Sequence, residues 1–81
     1  MRLDKFLKVS RVIKRRTVAN DACDGGRVFL NGRQAKPGAD VKPGDTVEVA
    51  FAGGSVKFEI LRVAETVSKD EASAMYRIIS E

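Results

Sequence analysis

The first residues with chemistry in them are cations. Arg2, Lys5, Lys8, Arg11, Lys14, Arg15 and Arg16 crowd the first sixteen positions of this 81-residue chain. Leu3, Phe6 and Leu7 fall at i, i+3 and i+4, so they form a short apolar stripe on a helix. The nearby basic residues lie off that stripe and face water or a partner. Lysines and arginines displayed this way bridge closely spaced phosphates and release counterions. Arginine adds a planar fork that holds a phosphate in a defined geometry. Arg15-Arg16 stands at the entry of a second helix, whose N-terminus already favours anions. These seven residues are the candidate RNA-binding set.

Other chemistries are poorly supplied. The chain contains no histidine, the commonest general base and metal ligand. Cys23 has no second Cys or His for a zinc site, and between Ala22 and Asp24 it reads as a packing residue. Asp21 and Asp24, three apart on a helix, read as a solvated face. Neither Gly25-Gly26 nor Gly53-Gly54 leads into a Gly-Lys-Ser/Thr phosphate loop. No catalytic residue, metal or cofactor is expected. Asp4 has two readings, a clamp on Lys8 at i+4 or a guide for a neighbouring arginine, and the clamp is the simpler. Phe6, Phe29, Phe51 and Phe58 all fall on expected apolar faces, and only Tyr76 is undecided. Without exposed rings for stacking, docking to a structured RNA backbone is favoured over single-strand readout.

The elements that must position the cations follow from local pattern. Helix one should cover about Leu3 to Val9. Val12 to Arg16 forms a connector, and helix two runs from about Arg16 to Asp24, with Thr17 as a capping hydroxyl. Ala19, Ala22 and Cys23 give helix two a small-residue face for packing on helix one. Gly25-Gly26 stops it, because glycine accepts a left-handed turn. Val28 to Leu30, Asn31-Gly32 and Arg33 to Lys36 make a hairpin. Lys42-Pro43-Gly44-Asp45 reads as a type II turn. Thr46 to Phe51 alternates, with Val47, Val49 and Phe51 inward. A return strand carries Val56, Phe58, Ile60 and either Leu61 or Val63, and the Ile60-Leu61 pair marks a bulge or a strand covered on both faces. Ser68 and Glu71 have capping-box spacing and open a helix over about Lys69 to Ala74. Met75 to Ile79 is the last strand. The expected fold is a small α+β domain: a helix pair on a curled, mostly antiparallel sheet of about five strands.

Length allows one domain, spanning 1–81. The core motif covers about 2–51, and a strand-helix-strand extension covers 55–80. No apolar run has membrane-spanning length, and the charged N-terminus lacks a signal-peptide core, so a cytoplasmic location is expected. Charge is the informative quantity. Residues 1–36 hold ten Lys and Arg against three Asp, a formal +7, whereas residues 37–81 hold five bases against eight acids, a formal −3. One strongly basic half points to an oriented anionic partner.

Four blocks carry a family resemblance: R-L-D-K-F-L at 2–7, R-R-T-x-A at 15–19, G-G-R-V-x-x-N-G at 25–32 and V-K-P-G-D at 41–45. Together they resemble the S-four-type RNA-binding domain, whose RNA-binding piece is the alpha-L motif. Arg15 stands where that family usually has a serine, and Cys23 replaces a larger aliphatic residue. The connector at 8–17 and the D-E-A-S-A-M-Y tail at 70–76 resemble the RqcP branch of the family, with heat-shock ribosome-binding proteins more distant. The resemblance implies a non-enzymatic factor of bacterial ribosome-associated quality control. Its partners would be large-subunit rRNA, peptidyl-tRNA and the free large ribosomal subunit, with an RqcH-type factor adding C-terminal alanines on the same particle. A monomer without cofactor or membrane contact is implied. The alternative is an accessory rRNA- or tRNA-binding protein in ribosome assembly or heat-shock ribosome recycling. A small RNA-modifying enzyme is a third reading, disfavoured because no space remains for a catalytic domain.

Overall fold

A computed structural model describes residues 1–80. The chain runs α1 (Leu3–Val9), α2 (Arg16–Asp24), β1 (Val28–Leu30), β2 (Arg33–Gln34), β3 (Thr46–Phe51), β4 (Gly54–Ile60), α3 (Lys69–Ala72) and β5 (Tyr76–Ser80). The five strands form one antiparallel sheet in the order β2-β1-β3-β4-β5, which does not close into a barrel.

The helix pair covers one face of this sheet. Leu3, Phe6 and Leu7 of α1 are fully buried, as are Val28, Val47, Phe58 and Ile60 from the strands. Phe6 stacks on Phe58 with ring centroids 6.3 Å apart, and Tyr76 meets Phe58 edge-on at 5.2 Å. Ala19, Ala22 and Cys23 of α2 are buried in the same core. Small side chains there let α2 sit close to its neighbours, and Cys23 is a core residue as its position implied. Burial, with the charges of Asp4 and Asp24, pushes the Cys23 thiol up to about 11. It therefore stays protonated and unreactive at neutral pH.

The turns follow their residues. Asn31 and Gly32 both have positive φ, 52° and 85°, as a type I′ hairpin requires. The Asn31 side chain also accepts from the Thr46 N–H at 2.9 Å and donates to Asp45 at 3.2 Å, tying the hairpin to the start of β3. Gly44 has φ 96°, and the Asp45 N–H bonds the Lys42 carbonyl at 3.1 Å, which closes the expected type II turn.

Several boundaries differ from expectation. β2 is only Arg33–Gln34, and α3 ends at Ala72 although its Ser68–Glu71 capping box is complete. β4 stops at Ile60, leaving Leu61 exposed, and the register shift lies at Lys57/Phe58 against β5 rather than at Ile60-Leu61. Phe51 points outward and is 53% exposed. It ends β3 opposite Gly54, which offers no side chain to cover it.

Candidate nucleic-acid interface

The two helix starts are built differently. At α1, residues 37–41 lie across the N-terminus. The Leu3 N–H donates to the Ala39 carbonyl at 2.8 Å and the Asp4 N–H to the Pro37 carbonyl at 3.1 Å. That end is closed by backbone. At α2 the cap position is Arg15, in extended conformation, with no side-chain cap; Thr17 lies inside the helix and does not cap it. A helix that begins this way leaves its first N–H groups available to an anion.

Asp4 sits between the two helices and is 2% exposed. Its carboxylate accepts from Arg2 Nε at 3.1 Å, Arg2 Nη2 at 3.3 Å, Asn20 Nδ2 at 3.4 Å and the Lys5 N–H at 2.8 Å. Arg16 Nε lies 3.5 Å away. Burial works against the charge of Asp4. The hydrogen bonds from Arg2, Asn20 and Lys5, with the Arg16 charge, outweigh it and hold the carboxyl below its usual range. Asp4 is therefore a guide for arginines rather than a clamp on Lys8. It holds Arg2 and Arg16, fourteen positions apart, around one carboxylate. Both guanidinium side chains remain about half exposed, so each keeps donors free for a further acceptor. A shallow pocket of about 270 Å³ opens here, lined by Asp4, Arg16, Thr17, Asn20 and Asp21.

The other candidate cations are distributed unevenly. Lys8, Arg11 and Lys14 are exposed and line a second groove, while Arg15, also exposed, occupies the cap position of α2. Lys5 is half-buried and engaged by Glu65, Nζ to Oε2 at 2.5 Å. That pairing lay outside sequence reach, because Glu65 comes from the acidic half of the chain. Arg11 has φ 64°, in the left-handed region.

Asn20, which steadies Asp4, was also missed in the sequence. Its spacing of four from Arg16 on α2 places both on one face and could have marked it. Phe51 is an exposed ring after all; it lies beside Arg27 in an apolar groove with Val12, Ile13 and Val18, and none of the seven cations lines that groove. Among the described residues there is no cluster of His, Cys, Asp and Glu that would hold a metal ion, and no helix long and apolar enough to cross a membrane.

Residues 1–47 match the model of the S4 domain. Over its whole length the chain is 52% identical to the RQC P-site tRNA stabilizing factor of Bacillus subtilis, covering 94% of that protein. It is 53% identical to the factor of the same name in Halalkalibacterium halodurans, covering 92% of it. The chain belongs to the S4-domain family of RQC P-site tRNA stabilizing factors. Among solved structures, the trimeric heat shock protein 15 of Vibrio cholerae superposes with a TM-score of 0.90 at 30% identity, over 99% of this chain and 82% of that one. The S4-domain match ends within β3, so it contains both helices, the connector and the 37–41 segment that closes α1. All seven candidate cations and Asp4 lie inside it.

Proposed function

We propose that this protein binds RNA backbone on the large ribosomal subunit, gripping rRNA and a P-site tRNA without catalysing a reaction. The observation that carries this reading is the Asp4 site: a buried carboxylate holds Arg2 and Arg16 beside the uncapped start of α2. A phosphate seated there would accept from the Arg16 fork and from first-turn N–H groups at once. Arg2, Lys5, Lys8, Arg11, Lys14 and Arg15 extend the positive surface along α1 and the connector. The names of the relatives support a role in steadying tRNA during ribosome-associated quality control. In that role an RqcH-type partner would extend the stalled chain with alanine, and this protein would act as a monomer in the cytoplasm.

Large-subunit pelleting tests the reading. Arg16→Ala should weaken association about ten- to a hundred-fold, equivalent to about 1.5–3 kcal/mol for one charge-assisted contact. Arg16→Lys keeps the charge but lacks the fork and should lose less. With about five phosphates neutralised, log K should fall with log salt at a slope of about −4. A slope near zero would remove the electrostatic account. The likeness to heat shock protein 15 favours ribosome recycling or assembly as the second reading. Sedimentation separates the two: co-migration with free large subunits carrying tRNA supports quality control, and co-migration with precursor particles supports assembly.

A further inference from the structure

We propose that the groove between the end of α1 and the 65–69 segment is a second seat for RNA backbone, with Lys69 as a binding residue supplied by the acidic half of the chain. This inference rests on the RNA-binding reading above and enlarges its footprint. The groove has a volume of about 510 Å³ and is lined on one side by Lys8, Arg11 and Lys14, and on the other by Thr66 and Lys69. Val9 and Val67, both half-buried, also line it.

Charge identifies the occupant. Four cations border the groove, and among the described residues none of them is ion-paired. The one acid in the lining, Glu65, is already held by Lys5 at 2.5 Å. Hydrogen bonding and charge from Lys5 keep the Glu65 carboxyl below its usual range. Glu65 thus stays ionised and engaged with Lys5 instead of neutralising the groove. Four like charges facing one opening repel one another and attract a polyanion. Three of the four cations are lysines, point charges on flexible stems beside a lone Thr66 hydroxyl, and no aromatic ring lines the groove. That chemistry fits a sugar-phosphate strand held without base readout.

The test compares Lys69→Ala and Lys69→Glu with Lys57→Ala and Arg16→Ala. Lys57 is exposed on β4, one residue from buried Phe58, and so lies on the sheet face turned away from the helices. Binding is read by pelleting with purified large ribosomal subunits carrying tRNA, from about 50 to 200 mM salt. Lys69→Ala should weaken binding about three- to ten-fold and reduce the salt slope by about 1, and Lys69→Glu should weaken it further. Lys57→Ala should change neither quantity. If Lys69→Ala matches Lys57→Ala while Arg16→Ala loses affinity, the second seat is wrong and the first reading stands. If Arg16→Ala and Lys69→Ala both bind like the parent, both fail. A Lys69→Ala loss on subunits that vanishes on protein-free rRNA and tRNA transcripts would assign the groove to an acidic ribosomal protein and overturn the RNA seat. Circular dichroism confirms the fold of each variant.

Discussion

The two N-terminal helices are finished in opposite ways. α1 is closed at its start by backbone from residues 37–41, and its chain leaves through Arg11 at φ 64°. α2 is open at its start and closed at its end by a glycine turn. Gly26 has φ 76°, its N–H bonds the Cys23 carbonyl at 3.0 Å, and the Arg27 N–H bonds the Ala22 carbonyl at 2.9 Å. These are the two bonds of a Schellman motif. At α1 the Arg11 N–H makes the equivalent inner bond to Lys8 at 3.1 Å, but Ile13 rather than Val12 reaches the Leu7 carbonyl. Both helices therefore need a left-handed residue after their last turn, and only one uses glycine. An arginine in that conformation costs about 1 kcal/mol or more. The cost falls where the side chain lines a cationic groove, whereas the glycine falls where no side chain is wanted. The open end of α2 and the cationic end of α1 also face the same connector, residues 10–15.

The largest effect should come from Asp4, which links the open start of α2 to α1. Asp4→Ala should lower stability by about 1.5–3 kcal/mol, since a buried acceptor of several hydrogen bonds is lost. It should also lower RNA affinity, because Arg2 and Arg16 lose their common anchor. Urea unfolding and subunit pelleting read the two effects. Unchanged affinity in a folded Asp4→Ala variant would show that the arginines need no alignment.

Gly26→Ala breaks the sealed end. Besides the left-handed conformation, an added Cβ would lie 2.3 Å from Gln34 Nε2. Gln34 is exposed and can swing aside, at the loss of its 3.0 Å bond to the Gly26 carbonyl. The expected loss is about 1–2 kcal/mol in urea unfolding, with RNA affinity per folded molecule unchanged.

Arg11→Gly should do the reverse. Relief of the left-handed strain, offset by the greater freedom of glycine in the unfolded chain, should leave the protein about 0.5 kcal/mol more stable. Subunit binding should nevertheless weaken several-fold as one cation leaves the groove. Weaker stability together with full binding would dissolve the contrast between the two helix ends.

The smallest effect is in pH. Asp4 and Asp45 are both held below the usual carboxylate range; for Asp45, burial is outweighed by Asn31, the Lys42 N–H and the Lys42 ammonium. The unfolded chain takes up those protons first, near pH ~3.9. Their contribution is full above that value and drains as pH falls through the lower folded values. Asp4→Asn should flatten this acid limb of the stability curve, measured by urea midpoints at successive pH values.

Local pattern made most of the fold legible. The i, i+3, i+4 stripe gave α1 at Leu3–Val9, Gly25-Gly26 ended α2, and Asn31-Gly32 and Pro43-Gly44 placed their turns. The alternation in β3 failed only at Phe51, because periodicity says which face a residue takes and not how far the covering layer extends. Thr17 failed as a cap for a similar reason: hydroxyl chemistry marks a capable residue, but the cap position of α2 falls two residues earlier, at Arg15, and leaves Thr17 inside the first turn.

What the sequence determined by itself was the inventory: seven cations in a basic first half, no histidine, a helix pair and the turns that join the strands. Each of these depends on residue chemistry or on neighbours within about four positions, where spacing fixes geometry. Tertiary structure decided which cations work together. Arg2 meets Arg16 only because α1 and α2 pack around Asp4. Lys5 is taken by Glu65, sixty residues away, and Lys69 joins Lys8, Arg11 and Lys14 across a groove. No one-dimensional spacing encodes such pairs. They form because burying Phe6 against Phe58 carries the rest of each segment into place, and with it the charges at its edges.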